Sequence, residues 1–270
     1  MNLFQSILAT ALVGIIGCQD RESSSNLFDT KEQESSIIQD PNSGAAPPPQ
    51  DSPLRGGIVN FTDGNGMDLW PRDMVSNLTY CIAKKRFSYD ELPLREDTRP
   101  QGKPVDYTEK DLLEKYELLK IMMTSAANAW EQDTPVNFVH LADEDENCNQ
   151  DNDNVVFKVY MVDLRQLGAA FFPSDRGTEK TFMSLKIGKI ASQNIKIFQR
   201  TIKHELGHVL GLRHEHIKTD PETREIEDNY QYLSVAVDFS SVMFYPTKAG
   251  YSGDENVSQS DLEVIRYLYE

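Results

Sequence analysis

The sequence predicts a domain of the α+β class, because it contains two amphipathic helical patterns and several short stretches typical of strands, most of them consecutive. The first helical pattern follows Thr108, which begins an N-cap sequence, and the second contains a cluster of histidines. The strand-like stretches combine apolar with β-branched residues. The predicted strands cover 78–82, 136–141, 155–162 and 169–172; the apolar helix positions are Leu112, Tyr116, Leu119, Met123, Ala126 and Trp130, followed by Phe198, Ile202, Leu206 and Val209.

Length and charge limit the class of protein. A chain of 270 residues can bury one sizeable core, and 39% hydrophobic with 26% charged residues is ordinary for a globular protein. The formal net charge is -16, and residues 19–66 and the rest of the chain both carry an excess of acids. A phosphate backbone would be repelled by both parts, so we expect no nucleic-acid partner.

Four of the five histidines lie between residues 204 and 216, and this clustering requires a chemical cause. His204 and His208 are four residues apart, so on a helix both project from one face and can share a metal ion. The apolar stripe of that helix lies on its far side, which turns the two histidines towards a cleft. The remaining histidine, His140, falls on a predicted strand and is interpreted as a core or surface residue.

A third ligand is available in His214 if the helix ends before it. On a continuous helix His214 would point to the opposite side, about 9 Å further along the axis. Gly211 resolves this conflict, because glycine readily adopts the left-handed conformation that ends a helix. Three imidazoles leave one coordination position open, as in catalytic zinc sites, and Glu205 is placed to take a proton from the hydrolytic water. We expect His216 at the rim or behind a ligand rather than on the metal.

These positions match the signature HExxHxxGxxH, and residues 241–245 supply a downstream methionine turn. The chain thereby resembles the metzincin zinc metallopeptidases, and among them the astacin-like enzymes and the bacterial dual-action HEIGH metallopeptidases. The likeness covers most of residues 125–270. Its further matching segments are 129–131, 170–173, 213–216, 227–229 and 260–269.

The resemblance implies a fold, an activity and several residue roles. The fold would be a twisted mixed β-sheet with two long helices above a smaller, irregular C-terminal subdomain, with the cleft between them. The activity would be that of a zinc-dependent endopeptidase with one catalytic Zn²⁺, held by His204, His208 and His214. Met243 would form an apolar floor beneath the zinc. Tyr245 would be catalytic and stabilise the oxyanion of the scissile carbonyl, with simple packing in the cleft wall as the alternative.

The resemblance also implies the substrate class. In such enzymes an edge strand of the sheet pairs with an extended peptide or protein substrate, and residues 167–171 match that strand. Backbone pairing accepts any extended chain, so the natural substrate and its cleavage preference stay open. We expect a monomer.

Two features depart from the pattern of the dual-action HEIGH metallopeptidases. Phe244 stands where that family usually has histidine, so any hydrogen bond made there is missing and local substrate preference is open. Cysteines expected in the C-terminal part of such relatives are absent, so packing must hold that region. Neither departure touches the predicted zinc ligands.

An alternative function is a catalytically silent, zinc-bearing binding or adhesion lipoprotein with the same fold. Such a chain would tolerate loss of the general base. Glu205 is present together with every other position of the signature. The sequence therefore favours an active endopeptidase.

The N-terminus indicates export. Residues 7–16 form an apolar run broken only by Thr10, far short of the roughly 20 residues that a membrane span requires. The run leads into Gly17 and Cys18, which resemble the lipobox of bacterial lipoprotein precursors. Residues 1–17 would be a signal peptide, and Cys18 would be the lipidated N-terminus. The protein would lie at the cell surface or in the periplasm and would contact the membrane only through this lipid anchor. The first six residues contain no Lys or Arg, so the positive charge usual before such an apolar run comes only from the amino terminus. Two alternatives are therefore open: an ordinary secretory signal, which would give a secreted protein, and a misassigned start.

Residues 18–66 are interpreted as a flexible tether and residues 67–270 as the zinc metallopeptidase domain. The tether is rich in Ser, Asp, Glu, Gln and Pro and has few clustered apolar residues, so it cannot offset its ordering entropy. An inhibitory propeptide is the alternative. No cysteine lies between 19 and 66, although Asp63 could serve as an inhibitory ligand.

Two further features concern the remaining cysteines and acids. Once Cys18 is set aside, Cys81 and Cys148 are left, and an even number in an exported protein predicts one disulfide. Residues 143–154 carry enough carboxylates for calcium, but they lack the central glycine and closing glutamate of an EF-hand loop. A solvated acidic loop is therefore favoured over a calcium site.

Overall fold

The computed structural model describes residues 52–62, 66–94, 99–100, 105–190, 195–220, 229–248, 250, 252 and 255–270. The predicted signal peptide, Cys18, Asp63 and most of the predicted tether lie outside these residues. Across these ranges, no helix is both long enough and apolar enough to cross a membrane.

The described chain contains both strands and helices, with several strands following one another without an α-helix between them, as in an α+β protein. The strands are β1 (Ile58–Thr62), β2 (Gly66–Met67), β3 (Leu78–Phe87), β4 (Phe138–His140), β5 (Phe157–Val162), β6 (Gly168–Ala169), β7 (Phe182–Lys186) and β8 (Tyr230–Tyr232). The α-helices are α1 (Arg72–Val75), α2 (Glu109–Glu131), α3 (Ile195–Val209) and α4 (Gln259–Tyr269), and short 3-10 helices lie at Tyr89–Glu91, Ala142–Asn147, Pro173–Asp175, Ile187–Lys189 and Glu215–Lys218.

A mixed five-stranded sheet forms the larger layer, in the order β4-β3-β5-β7-β6. The β6–β7 pair is antiparallel and the other pairs are parallel. The inner strand β5 is buried along its whole length, which explains why its sequence is apolar except for Lys158. β6 is an edge strand; it ends at Ala169, short of the predicted 172, and Pro173 begins a 3-10 helix four residues later. The mixed α+β architecture is confirmed.

The helix α2 begins where the sequence predicts. The Thr108 hydroxyl accepts a hydrogen bond from the Asp111 amide, and the Asp111 carboxylate accepts one from the Thr108 amide, which completes a capping box. Near its other end, Trp130 is fully buried and its indole nitrogen donates to the Lys203 carbonyl oxygen, 2.8 Å away. This bond fastens α2 to α3, the helix that carries the histidine cluster.

The folded region begins before residue 67. Residues 58–62 fall in the predicted tether, but the structure places them in β1, between β2 and β8 of a three-stranded antiparallel sheet. Val59 is buried in the main core, and the Asn60 amide donates to the Gly211 carbonyl oxygen at 2.7 Å. Apart from the adjacent β2, the partners of β1 are Leu212 and β8, which lie more than 150 residues away in the chain, so local sequence does not predict this strand.

Cys81 on β3 and Cys148 form a disulfide whose Cα atoms are 5.7 Å apart. Both residues are buried, and their sequence separation of 67 closes a long loop in the unfolded chain. A bond of this kind contributes about 2–5 kcal/mol to the free energy of unfolding. It ties the acidic loop to the sheet.

The acidic loop is not solvated throughout, because Asp145 is buried beneath it. Its carboxylate accepts hydrogen bonds from the Ile82 amide and the Tyr116 hydroxyl, at 2.7 and 2.6 Å, and contacts His140 Nε2 at 2.9 Å. Burial opposes ionisation, but these three contacts outweigh it and lower the pKa of Asp145. His140 therefore belongs to a buried network of the sheet.

Candidate metal centre and active site

Three histidines meet at the C-terminal end of α3. One ring nitrogen from each of His204, His208 and His214 lies within 4.8 Å of the others. The first two are buried and the third is partly exposed. Three imidazole nitrogens at this spacing fit a single Zn²⁺ with an open position towards solvent.

Gly211 brings the third histidine to the other two. The helix ends at Val209, and Gly211 has φ of 89°, the left-handed conformation that the sequence predicts for it. The Leu212 amide then donates to the Gly207 carbonyl oxygen at 2.9 Å, which closes the helix end. The chain reverses, and His214 returns to the face that carries His208.

Backbone carbonyls fix the orientation of two ligand rings. His204 Nδ1 lies 2.9 Å from the Val242 carbonyl oxygen, and His208 Nδ1 lies 2.8 Å from that of Leu212. Because a carbonyl oxygen only accepts, each Nδ1 carries the hydrogen and each Nε2 keeps its lone pair for a metal. Burial, followed by the charge of neighbouring histidines, lowers the pKa of both rings well below the usual value. Both are therefore neutral at pH 7, the form that binds a metal.

The methionine turn lies directly under α3. The Met243 sulfur fills the space left by Gly207, where an added Cβ would lie only 2.3 Å from the sulfur atom. Glycine at this position of the helix thus allows the turn to approach the histidines. Met243, the predicted apolar floor, is thus buried and in contact with the helix that carries His204 and His208.

Two buried charges hold the methionine turn in place. The Arg200 guanidinium donates to several carbonyl oxygens of the turn, including that of Val242 at 2.9 Å. On the other side, the Asp261 carboxylate accepts from the Ser241 hydroxyl at 2.6 Å and from the Val242 amide at 2.9 Å. Neither charge is among the predicted site residues. For Arg200 the sequence does offer a signal: it precedes His204 by one helical turn, which places both side chains on the same face of the helix.

Glu205 is buried between the histidine helix and β6. Burial raises the pKa of its carboxyl to about 8. A carboxyl group in this environment can both hold and release a proton near neutral pH.

Aromatic residues form the wall beside His214. The ring of Tyr245 lies 4.6 Å from that of His214 and 5.5 Å from that of His204, measured between ring centroids, and Tyr245 is 37% exposed. His216 is buried rather than at the rim, and it stacks on Tyr245 at 4.3 Å. Phe244, which replaces the histidine usual in the family, is fully buried with its ring 5.9 Å from His216.

Glu215 joins three segments around the third histidine. Its buried carboxylate accepts from the Gly57 amide at 3.0 Å, the Asp238 amide at 3.0 Å and Lys218 Nζ at 2.7 Å. Glu215 thereby connects the residue before β1, the 3-10 helix after His214 and the segment that precedes the methionine turn. No role was predicted for this residue.

A family model described as dual-action HEIGH metallo-peptidase matches residues 117–219, the segment that contains α3 and all three histidines. This match and the three histidines within it support a zinc metallopeptidase of the metzincin type. Peptides or proteins are therefore the substrate class of this metzincin-type peptidase.

Two solved structures are among those similar to this chain. Myroilysin aligns with a TM-score of 0.46 and 14% identity, over 79% of this chain and 98% of that one. High choriolytic enzyme 1, a hatching-enzyme zinc protease of the medaka fish Oryzias latipes, aligns with a TM-score of 0.41 and 15% identity, over 75% and 94% of the two chains. No curated protein matches the sequence.

Proposed function

We propose that this metallopeptidase is an endopeptidase in which His204, His208 and His214 hold one Zn²⁺ and Glu205 is the general base. The observation that carries the proposal is the convergence of three imidazole nitrogens within 4.8 Å, on the same helix end as a buried carboxyl group. When bound, Zn²⁺ polarises the scissile carbonyl and increases the acidity of water.

The protein's own residues then handle the protons. Glu205 takes a proton from the attacking water and passes it to the leaving amine. Its raised pKa, about 8, suits both steps, because the group can hold the proton between them near neutral pH. Tyr245 donates a hydrogen bond to the oxyanion that forms on the scissile carbonyl.

The edge strand β6 supports recognition of an extended substrate. β6 is the last strand of the sheet and lies against the helix of the zinc ligands. A peptide paired with its backbone would cross the histidines in an extended conformation. Such pairing sets the direction of the substrate and leaves sequence preference to side-chain contacts.

The test is chelator-sensitive cleavage of an unfolded protein. We expect the purified full chain to cut denatured casein or gelatin, to lose this activity with a zinc chelator and to regain it when Zn²⁺ is restored. A parallel sample treated briefly with trypsin, which is then inhibited, removes any latency caused by residues 18–66. Absence of chelator-sensitive cleavage in both samples would replace this proposal by the catalytically silent, zinc-bearing binding protein.

We also propose that the enzyme is an exported monomer anchored through a lipid on Cys18. The apolar run at 7–16 and the Gly17-Cys18 pair support this proposal. In a bacterial host that lipidates such precursors, the wild-type chain should fractionate with membranes and Cys18→Ser should not. Membrane association of the Cys18→Ser variant at the wild-type level would contradict the anchor.

A further inference from the structure

We infer that Gly168 is a positioning residue for Glu205, an inference that rests on the proposed role of Glu205 as general base. A Cβ atom added at Gly168 would lie 2.9 Å from both Cγ and Oε1 of Glu205 and 3.1 Å from its Cδ. Carbon atoms in non-bonded contact prefer separations of about 3.5–4.0 Å. Any larger residue at this place would therefore meet the carboxyl group itself.

The backbone conformation does not require glycine at this position. The glycines with positive φ in the described chain are Gly56, Gly57, Gly66, Gly177, Gly211 and Gly250. Gly168 is not one of them, so alanine can adopt its backbone conformation without strain. The property needed at 168 is therefore the absence of a side chain.

The strand that carries Gly168 is fixed and cannot easily move aside. Gly168 lies opposite Leu185 in the β6–β7 ladder, and the Lys186 amide donates to the Leu167 carbonyl oxygen at 2.9 Å. Because Glu205 has the ligand His204 as its neighbour in α3, the helix backbone is also held. The part of the contact that can give way is the Glu205 side chain, so a methyl group at 168 displaces the carboxyl group.

Displacement of the general base affects turnover more than binding. A misplacement of about 1 Å at a reacting group can reduce the rate about 10²-fold. We expect Gly168→Ala to lower kcat about 10- to 100-fold. The zinc content should stay at the wild-type level, and KM should change less than about threefold because the backbone groups of β6 are retained.

A matched control is available in Gly188. A Cβ added there would meet only the Tyr107 hydroxyl at 3.5 Å, an ordinary contact. Gly188→Ala makes the same chemical change and should keep kcat within about twofold of wild type.

A double-mutant cycle in the metal-free protein separates a contact with Glu205 from a general packing defect. With Glu205 present, Gly168→Ala should lower the Tm by about 3–8 °C, because the displaced Glu205 side chain must repack in a buried space. In the Glu205→Ala background the atoms that clash are gone, and the same change should lower the Tm by no more than about 1 °C. Calorimetry of the four proteins after chelation measures this coupling without reference to activity.

Each outcome has a separate meaning. Turnover by Glu205→Gln at the wild-type rate would remove the general base from the proposed function. If Glu205→Gln is inactive while Gly168→Ala turns over normally, the proposed function stands and the positioning role of Gly168 is overturned. Equal Tm losses in both backgrounds would also overturn it, because the contact would then not be with Glu205.

Discussion

Glu205→Gln should keep zinc and lose turnover, with kcat reduced about 10²- to 10⁴-fold. The amide has nearly the size and shape of the carboxyl group, so it fits the same buried space against β6. It has no basicity and cannot accept the proton of the attacking water. The three histidines do not depend on this group, since two of them are oriented by the carbonyls of Val242 and Leu212.

Metal analysis and peptide hydrolysis measured on the same preparation decide this prediction. The matched control is Glu114→Gln, which makes the same change on the exposed side of α2 and should leave both quantities unaltered. Loss of zinc from Glu205→Gln, or activity within about tenfold of wild type, would contradict the general-base assignment.

Tyr245→Phe should reduce kcat about 10- to 10³-fold with KM nearly unchanged. The substitution removes the hydroxyl and preserves the ring, whose centroid lies 4.6 Å from that of His214 and 4.3 Å from that of His216. The packing of the cleft wall is therefore retained. What is lost is a donor aimed at charge that develops only in the transition state.

Steady-state kinetics with a defined peptide tests this second effect. Tyr267→Phe is the control, because Tyr267 lies on α4 with 58% of its surface exposed and should tolerate the loss of its hydroxyl. A wild-type kcat in Tyr245→Phe would leave only the packing role for this tyrosine. A large rise in KM alone would instead place the hydroxyl in substrate binding.

The sequence by itself determined the features that depend on neighbouring residues. The spacing of His204 and His208 places them on one face of a helix whatever surrounds it. Gly211 adopts the predicted left-handed conformation because no other residue takes it as readily. The start of α2 at Thr108 follows in the same way from a capping box contained in four residues.

Only the tertiary structure decided which distant groups support the site. Arg200 and Asp261 reach the methionine turn from two different helices, and β1 joins the domain through β8 and Leu212, which lie more than 150 residues away. The contact between Gly168 and Glu205 likewise joins an edge strand to a helix. A periodic pattern records which face of an element is buried, but it does not record which element covers that face. These contacts arise from the packing of whole elements, and that packing fixes where the carboxyl group of Glu205 lies.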